Sequence, residues 1–191
     1  MYPNKVVFFD LETQYLFQDL GMNSSNKDPG KLKLAVAGVL EAENENASFF
    51  HEGQEKELLE LLRKADLIVG HNLLRFDYVV LQPYFQKDIA KLLHNKTFDT
   101  LVELEKLTGV WTSLDDLCRR NIGISKTVDT LKIPKMWRDG QQDEVKDYLL
   151  NDLKMTKAIF DHGMQKGKFK YEHKMYGKSF GEKEVNVLWR T

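Results

Sequence analysis

Residues 6–13 read Val6-Val7-Phe8-Phe9-Asp10-Leu11-Glu12-Thr13, a short apolar run that passes directly into two carboxylates spaced two residues apart. A bounded apolar run of this length reads as a buried strand. Side chains on a strand alternate between faces, so Asp10 and Glu12 project on the same side. Two acids held together repel unless positive charge lies between them, and hard divalent cations with oxygen ligands are the usual partners. Taken alone, such a pair is more often a solvated strand end. Two further segments shift the balance. Ile68-Val69-Gly70-His71-Asn72-Leu73-Leu74-Arg75-Phe76-Asp77 is another short apolar strand running into polar residues and an acid. In Tyr148-Leu149-Leu150-Asn151-Asp152 a phenol and a carboxylate stand four apart in a helical pattern, hence on one helix face.

Four acids and a tyrosine in this order resemble the DnaQ-like (DEDD) exonuclease superfamily, in its tyrosine-bearing branch (DEDDy). The first motif of that family, Asp-x-Glu after a buried strand, corresponds to Asp10 and Glu12. The second, Asn-x-x-x-Phe-Asp as it looks in proofreading domains of family B DNA polymerases, corresponds to Asn72 through Asp77. The third, Tyr-x-x-x-Asp, corresponds to Tyr148 and Asp152. The sister branch carries histidine five residues before the last acid, where this chain has Asp147. The resemblance covers roughly residues 4–165. Val79 stands where many members have proline, a segment from Tyr15 to Gly30 follows the first motif, and an extension follows Gly163. In these respects the chain looks closer to stand-alone or helicase-linked members than to a polymerase domain.

The resemblance implies a ribonuclease H-like α/β fold and a metal-dependent 3′-5′ exonuclease acting on the 3′ end of single-stranded DNA or RNA, with a helicase or other nucleic-acid enzyme as a further partner. It implies that Asp10, Glu12, Asp77 and Asp152 hold two Mg²⁺ or Mn²⁺ ions. Asp10, Glu12 and Asp152 would serve the ion that generates the nucleophile, Asp10 would bridge to the second ion on the leaving-group side, and Asp77 would reach that second ion directly or through water. Tyr148 would aim the attacking water, because a phenol of pKa near 10 is a poor base at neutral pH. Leu11, Thr13, Asn72 and Phe76 become candidates for contact with the terminal nucleotide. A noncatalytic nucleic-acid-binding module and a structure-specific endonuclease on the same fold are the alternatives.

The remaining pattern gives the organisation. Leu32 to Leu40 alternates as a strand, with Ala47 to His51 as its partner; Gly53 to Lys64 has helical spacing and precedes a strand from Leu67 to Gly70. A helix begins near Arg75 and is cut or kinked by Pro83. Thr97 to Asp99 is a fifth strand, helical stretches follow at Leu101 to Leu107 and Ser113 to Arg120, and a long helix runs from Gln142 to Asp161, closed by Gly163. This succession predicts a mixed five-stranded sheet flanked by helices, residues 1–165, with a hairpin-like extension over 166–191 packed on the same domain. Acids after strands one and four then meet at adjacent strand ends, where open α/β sheets place ligands.

With 191 residues and 42% hydrophobic content the chain can bury a sizeable core. A single Cys118 and no CxxC pair argue against disulfides and structural zinc and for a reducing, cytoplasmic setting. No apolar stretch reads as a signal peptide or has the length to span a bilayer. A net charge of −1 speaks against a nonspecific nucleic-acid coat. Lys166, Lys168, Lys170, Lys174 and Lys178 interleave with Phe169, Tyr171 and Tyr176, which fits either a stacking groove for a nucleic-acid backbone or, more simply, a hairpin whose rings pack inward while its lysines face water. His71 reads as a strand-end histidine bonded to backbone, Arg119 and Arg120 as a solvated helix face. The segment from Tyr15 to Gly30 is open between a lid over the site and a disordered loop.

Overall fold

The computed structural model describes residues 5–126, 128–175 and 177–189. In chain order the elements are β1 (Val6–Thr13), β2 (Leu34–Glu41), β3 (Ala47–His51), α1 (Glu55–Lys64), β4 (Leu67–Gly70), α2 (Asp77–Leu81), α3 (Ile89–Leu93), β5 (Thr97–Asp99), α4 (Thr100–Thr108), α5 (Leu114–Ile122), α6 (Ile133–Arg138), α7 (Gln142–Lys166), β6 (Lys168–Met175) and β7 (Lys178–Asn186). Five strands form one sheet in the order β3-β2-β1-β4-β5. β1 is central, antiparallel to β2 and parallel to β4. This is the mixed five-stranded, ribonuclease H-like α/β arrangement that the sequence predicts.

Alternation along β1 sorts the molecule into two layers. Val7, Phe9 and Leu11 enter a cluster with Leu58 and Leu62 of α1 and Tyr78 and Leu81 of α2. Val6 and Phe8 enter the opposite cluster, with Leu117 of α5 and Leu149, Leu153, Ile159 and Phe160 of α7. Asp10 and Glu12 continue the even-numbered face, so the period of the strand aims both carboxylates toward α7. The buried stripe of α7 includes Val145, Tyr148, Leu149, Asp152, Thr156, Ile159, Phe160 and Gly163, the spacing of one helix face. Tyr148 and Asp152 lie within that stripe. Gly38 of β2 pairs with Asp10, and a Cβ at Gly38 would come 2.8 Å from Leu153 Cδ1. A bare backbone opposite Asp10 therefore lets α7 settle close to the sheet.

Element boundaries differ from expectation where side chains compete with backbone periodicity. β2 starts at Leu34. The helix expected from Arg75 starts at Asp77, because Asn72 adopts a left-handed φ of 73° and Phe76 lies outside the helical region. Pro83 falls in the 3-10 turn Gln82–Tyr84 that ends this helical segment. α7 does not stop at Asp161 or at Gly163 but runs to Lys166 and closes on Gly167, whose φ is 65°.

Gly163 has a packing role instead. A Cβ there would meet Trp189 Cε3 at 2.0 Å. Trp189 in turn joins Phe98, Phe160 and Phe169, with ring centroids 5.1, 6.0 and 4.9 Å away. The β6–β7 hairpin is anchored through Phe169 in this cluster, and its lysines are matched across the ladder: Lys168 to Glu184 at 3.3 Å and Lys170 to Glu182 at 3.6 Å. The tail thus takes the packed-hairpin form, with much of its positive charge locally neutralised; Tyr176 lies outside the described residues. Arg120 departs from the solvated face expected of it. It is mostly covered and pairs with Asp116, Glu172 and Glu182 at 2.9, 2.8 and 3.1 Å, tying α5 to the hairpin.

Gly163→Ala separates these readings. A simple helix-interior glycine would gain about 1 kcal/mol from alanine, whereas overpacking a rigid ring costs about 1–3 kcal/mol. The packing role predicts net destabilisation, seen as a melting temperature lowered by a few degrees; an increase would contradict it.

Candidate functional site

Carboxylate oxygens of Asp10, Glu12 and Asp152 all lie within 4.8 Å of one another. Two come from the strand period of β1 and one from the inward stripe of α7, so the cluster follows from packing rather than from a dedicated loop. Asp77, 2% exposed at the start of α2, is the fourth acid and lies close enough to Asp10 for their charges to interact. The position of Asp77 depends on Asp99 at the end of β5. That buried carboxylate accepts from Asn72 N–H at 2.8 Å and Leu74 N–H at 3.1 Å, and from Leu101 and Val102 as the N-cap of α4. It holds the 72–76 loop against the adjacent strand.

Burial and mutual repulsion push protons onto the cluster. Burial first, then the charge of Asp152, raise Asp10 to about 7, against lowering by Lys126, the Leu11 N–H and Asp77. Glu12 and Asp77 are raised by burial and then by Asp10. Asp152 is raised by burial and lowered in part by Lys126. Asp77 Oδ1 and Asp152 Oδ1 are buried with no hydrogen-bond partner. Orphaned buried carboxylate oxygens are costly, and an all-oxygen donor set of this kind suits Mg²⁺ or Mn²⁺. The cluster of Asp10, Glu12 and Asp152 can bind a metal ion.

Lys126 is the residue of this site that the sequence did not reveal. Its N–H donates to Asp115 Oδ1 at 2.6 Å, and its ammonium donates to Asp152 Oδ2 and to the Tyr148 hydroxyl. Burial opposes its charge, but Asp152 and Tyr148 more than offset this and hold the amine protonated well above its ordinary range. It is the one lysine or arginine among the described residues that line the cavity over the acids. Nothing in the Ser125-Lys126 dipeptide marks it, since it comes from a loop joining α5 to α6.

The acids floor an open cavity of about 790 Å³. Leu11, Thr13, Asn72 and Phe76 all line it. Thr13 Oγ1 donates to Tyr15 O at 3.0 Å, which leaves its lone pairs free. Phe76 also packs against the core. Tyr148 is set back, 6% exposed, its hydroxyl bonded to Lys126 at 2.9 Å and Thr130 at 3.0 Å. Burial and Asp152 raise its pKa, so the phenol keeps its proton. His71 contacts Thr112 O and Thr100 Oγ1, both at 2.9 Å, and burial lowers its pKa to about 4. A carbonyl only accepts, so Nε2 carries the proton; this neutral histidine braces the loop before α5.

The segment from Tyr15 to Gly30 forms one wall through Tyr15, Leu16 and Phe17. Tyr15 N–H bonds Leu32 O at 3.2 Å, and Arg138 at the end of α6 donates to Gln14 O and lies 5.1 Å from the Tyr15 ring centre. The first three residues of the segment are thus held at the cavity wall.

No protein-family model and no curated protein matches this chain. Among solved structures it is similar to the family B DNA polymerase from the hyperthermophilic archaeon Pyrobaculum calidifontis, with a TM-score of 0.61 and 16% identity over 85% of this chain. The chain corresponds to 25% of that polymerase's length. No helix among the described residues is long and apolar enough to cross a membrane.

The raised carboxyls fix the sign of a pH effect. The stability contributed by Asp10 is fully present below its ordinary 3.8 and is lost as pH rises through about 7. In chelator the melting temperature should fall between pH 5 and pH 8, and Asp10→Asn should shrink that fall. At pH 8, Mn²⁺ at 100 times its Kd should add about 2.7 kcal/mol, a rise of roughly 5–10 °C for a domain of this size. Unchanged melting curves with millimolar Mn²⁺ would contradict an assembled cation site.

Proposed function

We propose that this chain is a metal-dependent 3′-5′ exonuclease of the tyrosine-bearing DnaQ-like type, hydrolysing phosphodiester bonds at the 3′ end of single-stranded nucleic acid. The observation that carries the reading is the convergence of Asp10, Glu12 and Asp152 oxygens within 4.8 Å, beside orphaned oxygens of Asp77 and Asp152, on the floor of an open cavity. A cavity of about 790 Å³ falls in the roughly 300–1,000 Å³ range of small-ligand pockets, which suits a chain terminus better than a continuous duplex. Similarity in fold to a polymerase is consistent with a nucleic-acid substrate.

Asp10, Glu12 and Asp152, with Asp77, would hold two Mg²⁺ or Mn²⁺ ions. Bound there, such ions lower the pKa of a coordinated water and neutralise charge on the phosphoryl and leaving oxygens. The protein's own groups do the positioning. Tyr148, kept protonated and fixed by Thr130, orients water rather than abstracting its proton. Lys126 supplies a protonated amine where phosphoryl oxygens gather charge. Thr13, whose hydroxyl proton is already given to Tyr15, can accept from a sugar hydroxyl. Asn72 offers a second polar contact, and Leu11 and Phe76 present apolar surface to the last base.

With a 5′-labelled single-stranded oligonucleotide and Mn²⁺, the purified protein should release a descending ladder, abolished by chelator. Asp10→Ala and Asp152→Ala should each lower the rate at least about 100-fold, and Tyr148→Phe should lower kcat while leaving the Mn²⁺-induced melting shift in place. Cleavage of a circular strand would instead indicate an endonuclease. Binding without turnover under any divalent ion would indicate a noncatalytic module.

A further inference from the structure

Two of the most exposed large apolar side chains of the described residues stand at the rim of the acid-floored cavity: Trp111, 57% exposed, and Leu131, 61% exposed. Trp111 is not presented by a slack loop. Between α4 and α5, Val110 and Thr112 are buried at 7% and 6% while Trp111 between them is turned outward. The backbone on either side is pinned. Val110 N–H donates to Thr108 Oγ1 at 3.1 Å, Thr112 O accepts from His71 at 2.9 Å, and Ser113 caps α5 by accepting from Asp116 N–H at 3.2 Å. Leu131 lies in a 3-10 turn, Thr130–Lys132, capped by Asp129. The neighbouring Thr130 bonds Tyr148, so the turn is tied to the catalytic floor.

A water-exposed indole on the rim of a pocket gains no hydrophobic stabilisation from folding, and apolar surface beside a ligand-sized pocket is where the apolar faces of an occupant become buried. The occupant follows from continuity with the floor. A strand whose terminal phosphodiester lies at the acids must carry its next nucleotides past this rim, and a nucleobase has two apolar faces. We propose that Trp111 is a stacking platform for an unpaired base of the substrate strand just 5′ of the terminal nucleotide, with Leu131 as a second apolar contact. Trp111 is a positioning residue: it touches the strand but not the reacting atoms. In a duplex both faces of that base are covered by its neighbours and its edge is paired, so the platform rewards single-stranded or frayed ends. This inference rests on the exonuclease reading and names how that site selects its substrate.

Binding is measured with a single-stranded oligonucleotide carrying phosphorothioate linkages at its 3′ end, which resists turnover, in the presence of Mn²⁺, alongside the same strand lacking one base near that end and the blunt duplex. The wild-type protein should bind the intact strand with quenched tryptophan emission. Base stacking is worth about 1–3 kcal/mol, so Trp111→Ala should weaken binding on the order of tenfold and Trp111→Phe should restore most of it. Trp111→Ala should also remove the penalty of the missing base and narrow the preference for single strand over duplex, a coupling that a merely structural role would not produce. Unaltered melting of Trp111→Ala confirms that folding is intact. If the wild type binds the intact strand and Trp111→Ala binds it equally well with the same quenching, the platform is refuted while the nuclease reading stands. If the wild type binds no strand and degrades none, the nuclease reading fails, and the platform with it.

Discussion

Four carboxylates crowded onto the floor of one cavity repel one another, and the packing around β1 holds them there against that repulsion. Isolated, each would be pushed toward its neutral form. They stay together because the core on both sides of β1 leaves them no alternative. Phe8 and Val6 are locked against α7, and Asp10 and Glu12 must follow the same strand period toward Asp152. Gly38 removes the side chain that would hold the helix off, and Asp99 clamps the loop that delivers Asp77. Hydrophobic burial thus fixes an arrangement that electrostatics alone would scatter, and Lys126 offsets only part of the resulting charge.

How much of this is legible in the sequence follows from which interactions are local. Strand alternation and helix period are local, so the five strands, the same-side projection of Asp10 and Glu12, and the pairing of Tyr148 with Asp152 on one face could all be read from residue order. Caps that depend on remote partners could not. The start of α2 moved to Asp77 because Asp99, far along the chain, holds the backbone of residues 72–74 in a loop. Gly163 looked like a helix stop because a glycine near a helix end usually is one. Its actual partner, Trp189, comes from beyond a hairpin. Lys126 was invisible for the same reason: a lysine in a polar loop has no pattern, and only the packing of α5 against α7 brings it to Asp152.

The walls of the cavity divide the labour differently from the floor. The floor is carried by regular elements and its chemistry is charge. Tyr15, Phe17, Trp111 and Leu131 come from loops and turns and offer flat or apolar surface. Loops of this kind vary more readily than the elements they join, so the walls can change while the acidic floor is kept. The Arg138 contacts to Gln14 and Asp19 keep the wall at Tyr15 in register with α6.

Anomalous diffraction from crystals of this protein grown with Mn²⁺ locates the cation without relying on turnover. Anomalous peaks are expected bounded by the carboxylates of Asp10, Glu12 and Asp152, with Asp77 adjoining. Crystals in which those four side chains are ordered but Mn²⁺ binds elsewhere, or in which the carboxylates point apart, would contradict a cation site there.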